Sequence, residues 1–288
     1  MDSVLNRIRE VYPSLSKGQK RIADYIDKYY ENAAFLTAAR LGEEAGVSES
    51  TVVRFAYAVG FDGYPEMQDS LQELIRHKLT SAQRIHLTEG LNTQDVPRRV
   101  LTADMNNIKA TIDLIDPGVF TDTVNALLSA QRIYVLGVGS AYPLAQFLVS
   151  YLGYSFNDVI YAGGSEQDIF ERMLRISEHD ICFGITFPRY SSRTVTGMRY
   201  AKDRGAKLIA LTDLPTSPIA EISDYILLAR SDMASFADSL TAPLSVLNAI
   251  LVSISILRKE ETYAHLMQLE KIWSMEGVYF KENDKDPS

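Results

Sequence analysis

The chain has 288 residues, of which 46% are hydrophobic and 23% charged, a composition typical of a globular protein long enough for two domains. The formal net charge of −8 excludes a protein drawn as a whole to a polyanion, so any contact with nucleic acid has to be local. The single cysteine, Cys182, lies in the apolar run ICFGITF, which excludes a disulfide framework and argues against a thiol catalyst. Because the sequence shows no signal-peptide pattern and no apolar stretch of about 20 residues, we expect a cytoplasmic protein without a membrane partner.

The first 79 residues show helical periodicity, as in the series Ile22, Tyr25, Ile26 and Tyr29. No strand-like alternation interrupts this pattern, which predicts an all-helical domain over residues 1–79. Residues 80–94 are polar and weakly periodic, as a linker would be. A second domain is then predicted over residues 95–277, followed by a disordered tail over residues 278–288.

A tight turn divides residues 37–59 of the first domain into two helices. Gly46 permits the reversal of the backbone, and Thr37 and Ser48 stand where they can cap the two helices. Apolar residues on both sides of the turn supply a small core, and the whole arrangement predicts a helix-turn-helix. A helical hairpin that merely packs is the alternative interpretation, since many unrelated helices satisfy the same pattern.

The second helix of this motif would enter the major groove of double-stranded DNA and present its first turns to base edges and phosphates. Three basic residues of an earlier helix and the start of the first helix could add phosphate contacts. Charge argues against this interpretation, since residues 1–78 hold ten Lys or Arg against twelve Asp or Glu. A dimer that reads two half-sites would therefore be needed for useful affinity. The predicted DNA-binding residues are Thr37, Ser48, Glu49, Ser50, Thr51, Arg54, Lys17, Lys20 and Arg21.

Two strings of this domain, LSKGQKRIADYI and AGVSESTVVRFAYAVGFDGYPEMQDSL, resemble the N-terminal helix-turn-helix domain of the RpiR family of bacterial transcriptional regulators. The segments VSESTVVRF and GFDGY carry most of the resemblance, which extends over about residues 1–260. It implies that a sugar-isomerase-type (SIS) domain follows the DNA-binding domain. The sequence departs from the family at Tyr57, where members often carry a lysine.

Five short apolar runs alternate with helical patterns in the second domain. The runs are RIYVLG (132–137), DVIYA (158–162), DICFGIT (180–186), AKLIALT (206–212) and DYILLA (224–229). This alternation predicts an α/β fold with a five-stranded parallel sheet sandwiched by helices, and the resemblance implies a flavodoxin-like sheet of SIS type. Ligands of such sheets bind beyond the carboxyl ends of the strands, so the loops there are the candidate sites.

The loop after the first predicted strand contains Gly137, Gly139 and Ser140. Glycines at this position let an anion approach the backbone, and Ser140 can cap the following helix, so the loop is a candidate phosphate cradle. It does not match the dinucleotide pattern, because Pro143 replaces the third glycine. A tight strand-to-helix turn without a ligand is the alternative.

The loop after the third predicted strand, GITFPRYSSRT over residues 184–194, is rich in hydroxyls and arginines that could bind phosphate oxygens. SIS domains that bind phosphosugars resemble this arrangement, although Phe187 and Tyr190 make the loop bulkier and could narrow the pocket or stack on a sugar ring. The alternative is that Ser192 or Thr194 only caps a helix and that the arginines, above all Arg193, are solvated. The candidate effector-binding residues here are Thr186, Arg189, Tyr190, Ser191, Ser192 and Thr194.

The motifs predict a helix-turn-helix protein with a site for a small anion, and the resemblance to the RpiR family implies a DNA-binding regulator, acting as a homodimer or tetramer, that senses a phosphosugar or related small anion. Two C-terminal apolar helical segments, 235–257 and 261–275, could pack on the sheet or cover another subunit. The alternative function is an aldose–ketose isomerase, which needs a general base near the sugar. His179 precedes the third predicted strand and is therefore at the wrong end of the sheet, whereas His265 and Glu166 remain possible bases, with a surface histidine and a capping carboxylate as the alternative interpretations. We expect no enzyme activity, no cofactor and no metal ion.

Overall fold

The computed structural model describes residues 4–76, 84–85, 92–164, 166–233 and 237–279. The chain divides into two compact units, Met1–Leu91 and Asn92–Ser288. Residues 80–83 and 86–91 of the predicted linker, and residues 280–288 of the predicted tail, lie outside the described residues.

Helices form the described part of the first unit, as its periodicity predicts. They are α1 (Val4–Val11), α2 (Lys17–Ala33), α3 (Ala38–Ala45), α4 (Glu49–Ala58) and α5 (Tyr64–Arg76). Helix α2 starts with a capping box, in which the Gln19 amide donates to Ser16 Oγ at 3.4 Å and the Ser16 amide donates to Gln19 Oε1 at 3.0 Å. The apolar faces of these helices meet in one core around the fully buried side chains of Ile22, Ile26, Leu41, Phe55 and Leu71.

The turn between α3 and α4 depends on two glycines. Gly46 adopts a left-handed conformation with φ of 67°, which favours glycine. A Cβ atom at Gly42 would lie 2.9 Å from the carbonyl oxygen of Val47, so the missing side chain lets the turn fold back onto α3. The predicted helix-turn-helix is therefore confirmed as a fold.

The second unit contains a five-stranded parallel sheet in the order β2-β1-β3-β4-β5. The strands are β1 (Ile133–Leu136), β2 (Val159–Tyr161), β3 (Ile181–Ile185), β4 (Lys207–Thr212) and β5 (Tyr225–Leu228). The helices are α6 (Val96–Leu114), α7 (Pro117–Ser129), α8 (Tyr142–Leu152), α9 (Glu166–Arg172), α10 (Ser192–Asp203), α11 (Thr241–Leu257) and α12 (Lys259–Met275). Each strand lies within one of the five predicted runs, which confirms the predicted fold class.

Helices cover both faces of this sheet. Residues of α7, α8 and α11 form one core with strand residues such as Val135 and Phe183, whereas α9 and α10 pack with Tyr134 and Cys182 on the other face. The neighbouring strands β1 and β3 are therefore followed by helices on opposite faces. Their loops diverge at the carboxyl edge, and such a divergence leaves the crevice where sheets of this type bind ligands.

Helix α10 approaches the sheet closely because two glycines remove side chains from the contact. The side chain of Met198 fills the space into which a Cβ atom of Gly184 would project, and the side chain of Leu136 does the same at Gly197. This packing fixes the start of α10 against the carboxyl edge of the sheet.

The C-terminal helix α12 lies mostly at the surface, with Thr262 as its buried residue. Tyr263, Met267 and Ile272 expose 65%, 43% and 48% of their surface. Within the described ranges, no single helix has the length and apolar composition needed to cross a membrane. Helices α11 and α12 meet that condition only as a pair, and they are bent by 102° relative to each other.

Candidate functional site

The first turns of α4 present most of the predicted base-contacting residues to solvent. Glu49, Ser50 and Arg54 are exposed, and Thr51 is half-buried. Ser48 stands at the N-cap position as predicted, but its hydroxyl contacts the hydroxyls of Ser50 (3.0 Å) and Thr51 (2.9 Å) and makes no capping bond. Hydroxyl groups and free helix amides therefore lie together at this helix start.

The start of α2 packs beside the start of α4. A Cβ atom at Gly18 would lie 3.4 Å from Thr51 Cγ2, and Gln19 Nε2 donates to the carbonyl oxygen of Arg54 at 3.5 Å. The basic residues of α2 therefore lie close to the start of α4. The order of these residues in the sequence does not by itself predict this proximity. The exposed Lys17 and the half-buried Lys20 belong to this group.

Two of the predicted phosphate contacts have structural roles as well. Arg21 Nη1 donates to the carbonyl oxygen of Gly46 at 3.1 Å, which holds the guanidinium on the turn. Thr37 caps α3 by accepting a bond from the Arg40 amide at 3.3 Å, at the opposite end of α3 from the turn. Tyr57, where the family often has lysine, is 59% exposed.

The loop after β1 has the open backbone of a cradle. Gly139 adopts a φ of 63°, and among the described residues other than Gly139 and its two chain neighbours, no heavy atom lies within 4 Å of the place where its Cβ would be. The expectation that Ser140 caps a helix is wrong: Ser140 lies in a short 3-10 turn, Gly139–Ala141, and α8 starts only at Tyr142 with Ala141 at the N-cap and no side-chain capping bond. The hydroxyl of Ser140 is exposed and is not used as a cap.

The loop after β3 is held by hydrogen bonds between its own residues. Thr186, only 3% exposed, accepts a bond from the Ser191 amide at 3.0 Å. Ser191 caps α10, because its Oγ accepts a bond from the Thr194 amide at 3.3 Å. The alternative in which Ser192 or Thr194 provides the cap is therefore wrong, since Ser191 has this role. Ser192 is the exposed first residue of the helix.

Thr194 has an unusual environment. Its side chain is 0% exposed, and its Oγ1 has no hydrogen-bond partner among the residues that the structure describes. A buried hydroxyl without a partner is unfavourable by about 1–3 kcal/mol, and such groups occur at strained or catalytic positions and where a water or an ion binds. Thr194 lies in the first turn of α10, where free amides also favour an anion.

The two aromatic residues of this loop lie in different environments. Phe187 is 4% exposed and belongs to the hydrophobic core, so it does not stack on a ligand. The hydroxyl of Tyr190 donates a hydrogen bond to Asp213 Oδ1 at 2.9 Å, and this bond links the loop after β3 to the loop after β4. Between them, Arg189 has a φ of 67°, which is rare for a residue with a side chain. Asp213 was not among the predicted site residues, although an acid directly after a buried strand is the signal that could have identified it.

Cys182 and His179 are two titratable side chains of the second unit that lie away from the loops at the carboxyl edge of the sheet. Burial raises the pKa of the Cys182 thiol to about 12, so it is protonated at neutral pH. His179 lies beside Glu178 and Lys207 around a cleft of about 580 Å³ at the amino ends of the strands, opposite the loops described above. The side chain of Glu166 lies outside the described residues. Within the described ranges, no three His, Cys, Asp or Glu side chains are grouped to hold a metal ion.

Arg193 is exposed as expected, and its Nη1 donates to the carbonyl oxygen of Gly164 at 3.4 Å. This bond joins the start of α10 to the loop after β2. Tyr161, whose hydroxyl donates to the carbonyl oxygen of Gly137 at 3.0 Å, joins the end of β2 to the first loop. The carboxyl edge is thus linked by hydrogen bonds across three loops.

Both halves of the chain match known domain families. Residues 2–78 match the helix-turn-helix domain of the rpiR family, and residues 126–253 match the SIS domain. A helix-turn-helix domain joined to a SIS domain defines a transcriptional regulator with a DNA-binding part and a sugar-isomerase-type part. The chain belongs to the RpiR family of such regulators, and the resemblance drawn from its N-terminal motifs is confirmed.

Relatives and solved structures agree with this assignment. An uncharacterized HTH-type transcriptional regulator of Haemophilus influenzae is 29% identical over 228 residues, 78% of this chain and 79% of the relative. The regulator HexR of Pseudomonas aeruginosa is 25% identical over 281 residues, 94% of this chain and 95% of HexR.

The sugar isomerase domain of an RpiR transcription factor from Sphaerobacter thermophilus is 26% identical, with a TM-score of 0.57 over 62% of this chain and 99% of that domain. The NanR protein of Vibrio vulnificus, solved in complex with ManNAc-6P, shares the fold at 20% identity, with a TM-score of 0.58 over 94% of this chain and 98% of NanR.

Proposed function

We propose that this regulator senses a phosphorylated sugar or a related small anion in the crevice between β1 and β3, and that the effector alters operator binding. The observation that carries the proposal is the buried Thr194 hydroxyl without a partner among the described residues, at the start of α10. A phosphate there would accept a bond from Thr194 and interact favourably with the helix dipole. The complex of the related-fold NanR with ManNAc-6P supports a phosphosugar as the ligand class.

The two loops would share the ligand. In the first loop, Gly139 leaves the backbone open and Ser140 has an exposed hydroxyl. In the second, Ser191 accepts one bond as a helix cap and retains its own proton to donate. The proposed effector-binding residues are Gly137, Gly139, Ser140, Thr186, Arg189, Tyr190, Ser191, Ser192 and Thr194.

The operator would be bound by the adjacent starts of α2 and α4, where exposed hydroxyls and basic side chains lie together. The exposed Arg54, whose Nε already donates to the Ser50 carbonyl at 3.2 Å, has its remaining donors available for a base edge or phosphate. The proposed DNA-binding residues are Thr37, Ser48, Glu49, Ser50, Thr51, Arg54, Lys17, Lys20 and Arg21.

The regulator would act as a homodimer or tetramer in the cytoplasm. Large apolar side chains are exposed on the second unit, among them Ile256 (68%), Tyr263 (65%) and Met275 (76%). Exposed apolar surface of this extent is typical of a subunit interface. Two DNA-binding domains per dimer would double the phosphate contacts and match two half-sites.

The proposed function includes no catalysis, no cofactor and no metal ion. An aldose–ketose isomerase needs a base near the bound sugar, and His179 lies at the opposite edge of the sheet. Among the described residues, no hydrogen bond or ion pair joins His265, on α12, to a group that would make it suitable as a general base.

A thermal-shift screen of the full-length protein tests the proposal. The panel would contain ManNAc-6P, glucose 6-phosphate, glucosamine 6-phosphate, the unphosphorylated sugars, inorganic phosphate and sulfate. A sensed phosphosugar at about 100 times its Kd would stabilise the protein by about 2.7 kcal/mol, and thus raise the melting temperature by roughly 5–10 °C. No shift with any compound would contradict sensing, and turnover of a bound compound would support the isomerase instead.

The double substitution Ser140→Ala and Ser191→Ala should remove the shift and leave DNA binding unchanged. The matched control is Ser150→Ala, which alters an exposed serine of α8. A ligand shift of the wild-type size in the double variant would refute the role of the two loops.

A further inference from the structure

Helix α6 is amphipathic in the reverse sense to an ordinary surface helix. Its buried residues are polar, with Asn107 3% and Thr111 4% exposed. Its apolar residues Leu101, Met105 and Ile112 expose 69%, 62% and 66% of their surface. Surface helices normally bury their apolar side chains, whereas on α6, which also packs against α11, the two fully buried side chains are polar and need specific partners.

Those contacts are with the backbone of the segment that follows β5. Asn107 Nδ2 donates to the carbonyl oxygen of Asp232 at 2.9 Å, and the Asp232 amide donates to Asn107 Oδ1 at 3.3 Å. Thr111 Oγ1 accepts a bond from the Arg230 amide at 2.9 Å. These bonds join residues more than a hundred positions apart in sequence. They fix the position of α6 along its axis and its rotation about that axis, because the buried amide of Asn107 can pair both its oxygen and its nitrogen with Asp232 in one arrangement only.

Hydrogen bonds that are connected through the covalent backbone at Thr212 and at Ala229–Arg230 link this segment to the loop after β3. The Ala229 amide donates to the carbonyl oxygen of Thr212 at 2.9 Å, which extends the pairing of β4 and β5. Thr212 Oγ1 donates to Asp213 Oδ1 at 3.3 Å, and the same oxygen accepts the Tyr190 hydroxyl at 2.9 Å. Thr212 and Asp213 are 0% and 7% exposed, so these bonds are shielded from water and stronger than surface bonds.

We propose that Asn107 and Thr111 are positioning residues that couple the conformation of the loop after β3 to the register of α6. A displacement of Tyr190 alters its bond to Asp213, and thereby the ends of β4 and β5 and the segment on which α6 is held. Because α6 is the first helix after the DNA-binding unit in the chain, this route would carry effector binding toward that unit, and in this respect it rests on the proposed function. No contact between the two units is required for it.

Hydrogen exchange of full-length protein without ligand tests the coupling. Tyr190→Phe removes one hydroxyl that does not touch α6, and it should raise amide exchange over residues 101–112 about threefold or more. The control is Tyr200→Phe, which makes the same change on α10 at a hydroxyl that has no hydrogen bond among the described residues. It should leave exchange over residues 101–112 unchanged. Unaltered exchange over residues 101–112 in Tyr190→Phe would overturn the proposal.

A double-mutant cycle gives an independent measurement. Asn107→Ala and Tyr190→Phe each change the unfolding equilibrium constant, and in the double variant their effects should depart from the simple product by about threefold or more. Asn106→Ala, an exposed asparagine next to Asn107, should combine with Tyr190→Phe as a simple product. Thr111→Val replaces Asn107→Ala in the cycle if that variant does not fold. A simple product for the test pair would overturn the coupling.

Both measurements are made without a ligand, so they separate the two proposals. Absence of any thermal shift with the phosphosugar panel would refute sensing and leave the coupling in place. A higher melting temperature with one compound, together with mutational effects that combine as a simple product in the double-mutant cycle, would refute the coupling and leave sensing in place. In a protein with both properties, ManNAc-6P or another shifting compound should change exchange over residues 101–112 in the wild type and not in Asn107→Ala.

Discussion

Replacing Thr194 with valine changes the stability of the free protein and its response to ligand in opposite directions. Valine has almost the shape of threonine and lacks the hydroxyl, which in this protein is fully buried and has no hydrogen-bond partner among the described residues. Removal of an unsatisfied buried hydroxyl should stabilise the ligand-free protein by about 1 kcal/mol. For a unit of this size that corresponds to a rise of roughly 2–4 °C in melting temperature.

The same substitution should weaken ligand binding. A hydrogen bond to a charged group contributes about 1.5–3 kcal/mol, so the Kd of an anionic effector should rise roughly 10- to 150-fold in Thr194→Val. Thermal unfolding gives the first quantity, and titration calorimetry with the compound found in the screen gives the second. A purely structural threonine would not produce this pair of opposite changes.

The matched control is Thr196→Val, an exposed threonine on the same helix. It makes the same chemical change and should alter neither the melting temperature nor the Kd by a measurable amount. A lower melting temperature in Thr194→Val would show that its hydroxyl has a structural partner. An unchanged Kd would refute the placement of the anion at the start of α10.

Three further predictions concern separate parts of the molecule. Arg54→Ala should weaken operator binding about 10- to 100-fold in a fluorescence anisotropy titration and leave effector binding intact. The control is Arg9→Ala, whose exposed side chain pairs with Asp27 at 3.2 Å, and it should weaken neither operator binding nor effector binding. Equal operator affinity of Arg54→Ala and the wild type would contradict the assignment of α4 to the major groove. Gly184→Ala should lower the free energy of unfolding by about 1–3 kcal/mol in denaturant titrations, because the new methyl group meets the side chain of Met198. The control is Gly153→Ala, since the nearest atoms to its new methyl group lie at 3.4 Å. Equal stability of the two variants would refute the close packing of α10 against the sheet. Cys182 should react with a disulfide reagent at pH 8 only at the rate at which the protein unfolds. Burial raises the pKa of its thiol to about 12, and only the thiolate form reacts. Fast labelling of the native protein would contradict the burial of Cys182.

The sequence predicted the fold of the chain well because the relevant signals are local. Each of the five apolar runs contains a strand. The inner strands β1, β3 and β4 are almost fully buried, as strands covered on both faces are, whereas the edge strands β2 and β5 are mostly half-buried. Gly46 similarly predicted the turn of the helix-turn-helix, because its positive φ is a property of one residue. The family motifs lie in the same local stretches, which is why the family could be identified from them.

The details of the candidate site depend on residues that are distant in sequence. The capping role expected of Ser140 failed because a 3-10 turn intervenes before α8, and Phe187 entered the core instead of the pocket. Tyr190 finds its partner in Asp213 because the parallel sheet brings the loops after β3 and β4 together. Asn107 finds its partner in Asp232 because the folded chain places α6 against the segment that follows β5.

The sequence by itself therefore determined the two domains' fold classes and the positions of the strands, and it indicated the loops that are proposed to bind a ligand. Only the tertiary structure decided which hydroxyl caps α10, which hydroxyl is left without a partner, and which polar side chains hold α6. The physical reason is that periodicity and turn residues act within a few positions of the chain, whereas burial and hydrogen-bond pairing depend on what the folded chain brings into contact.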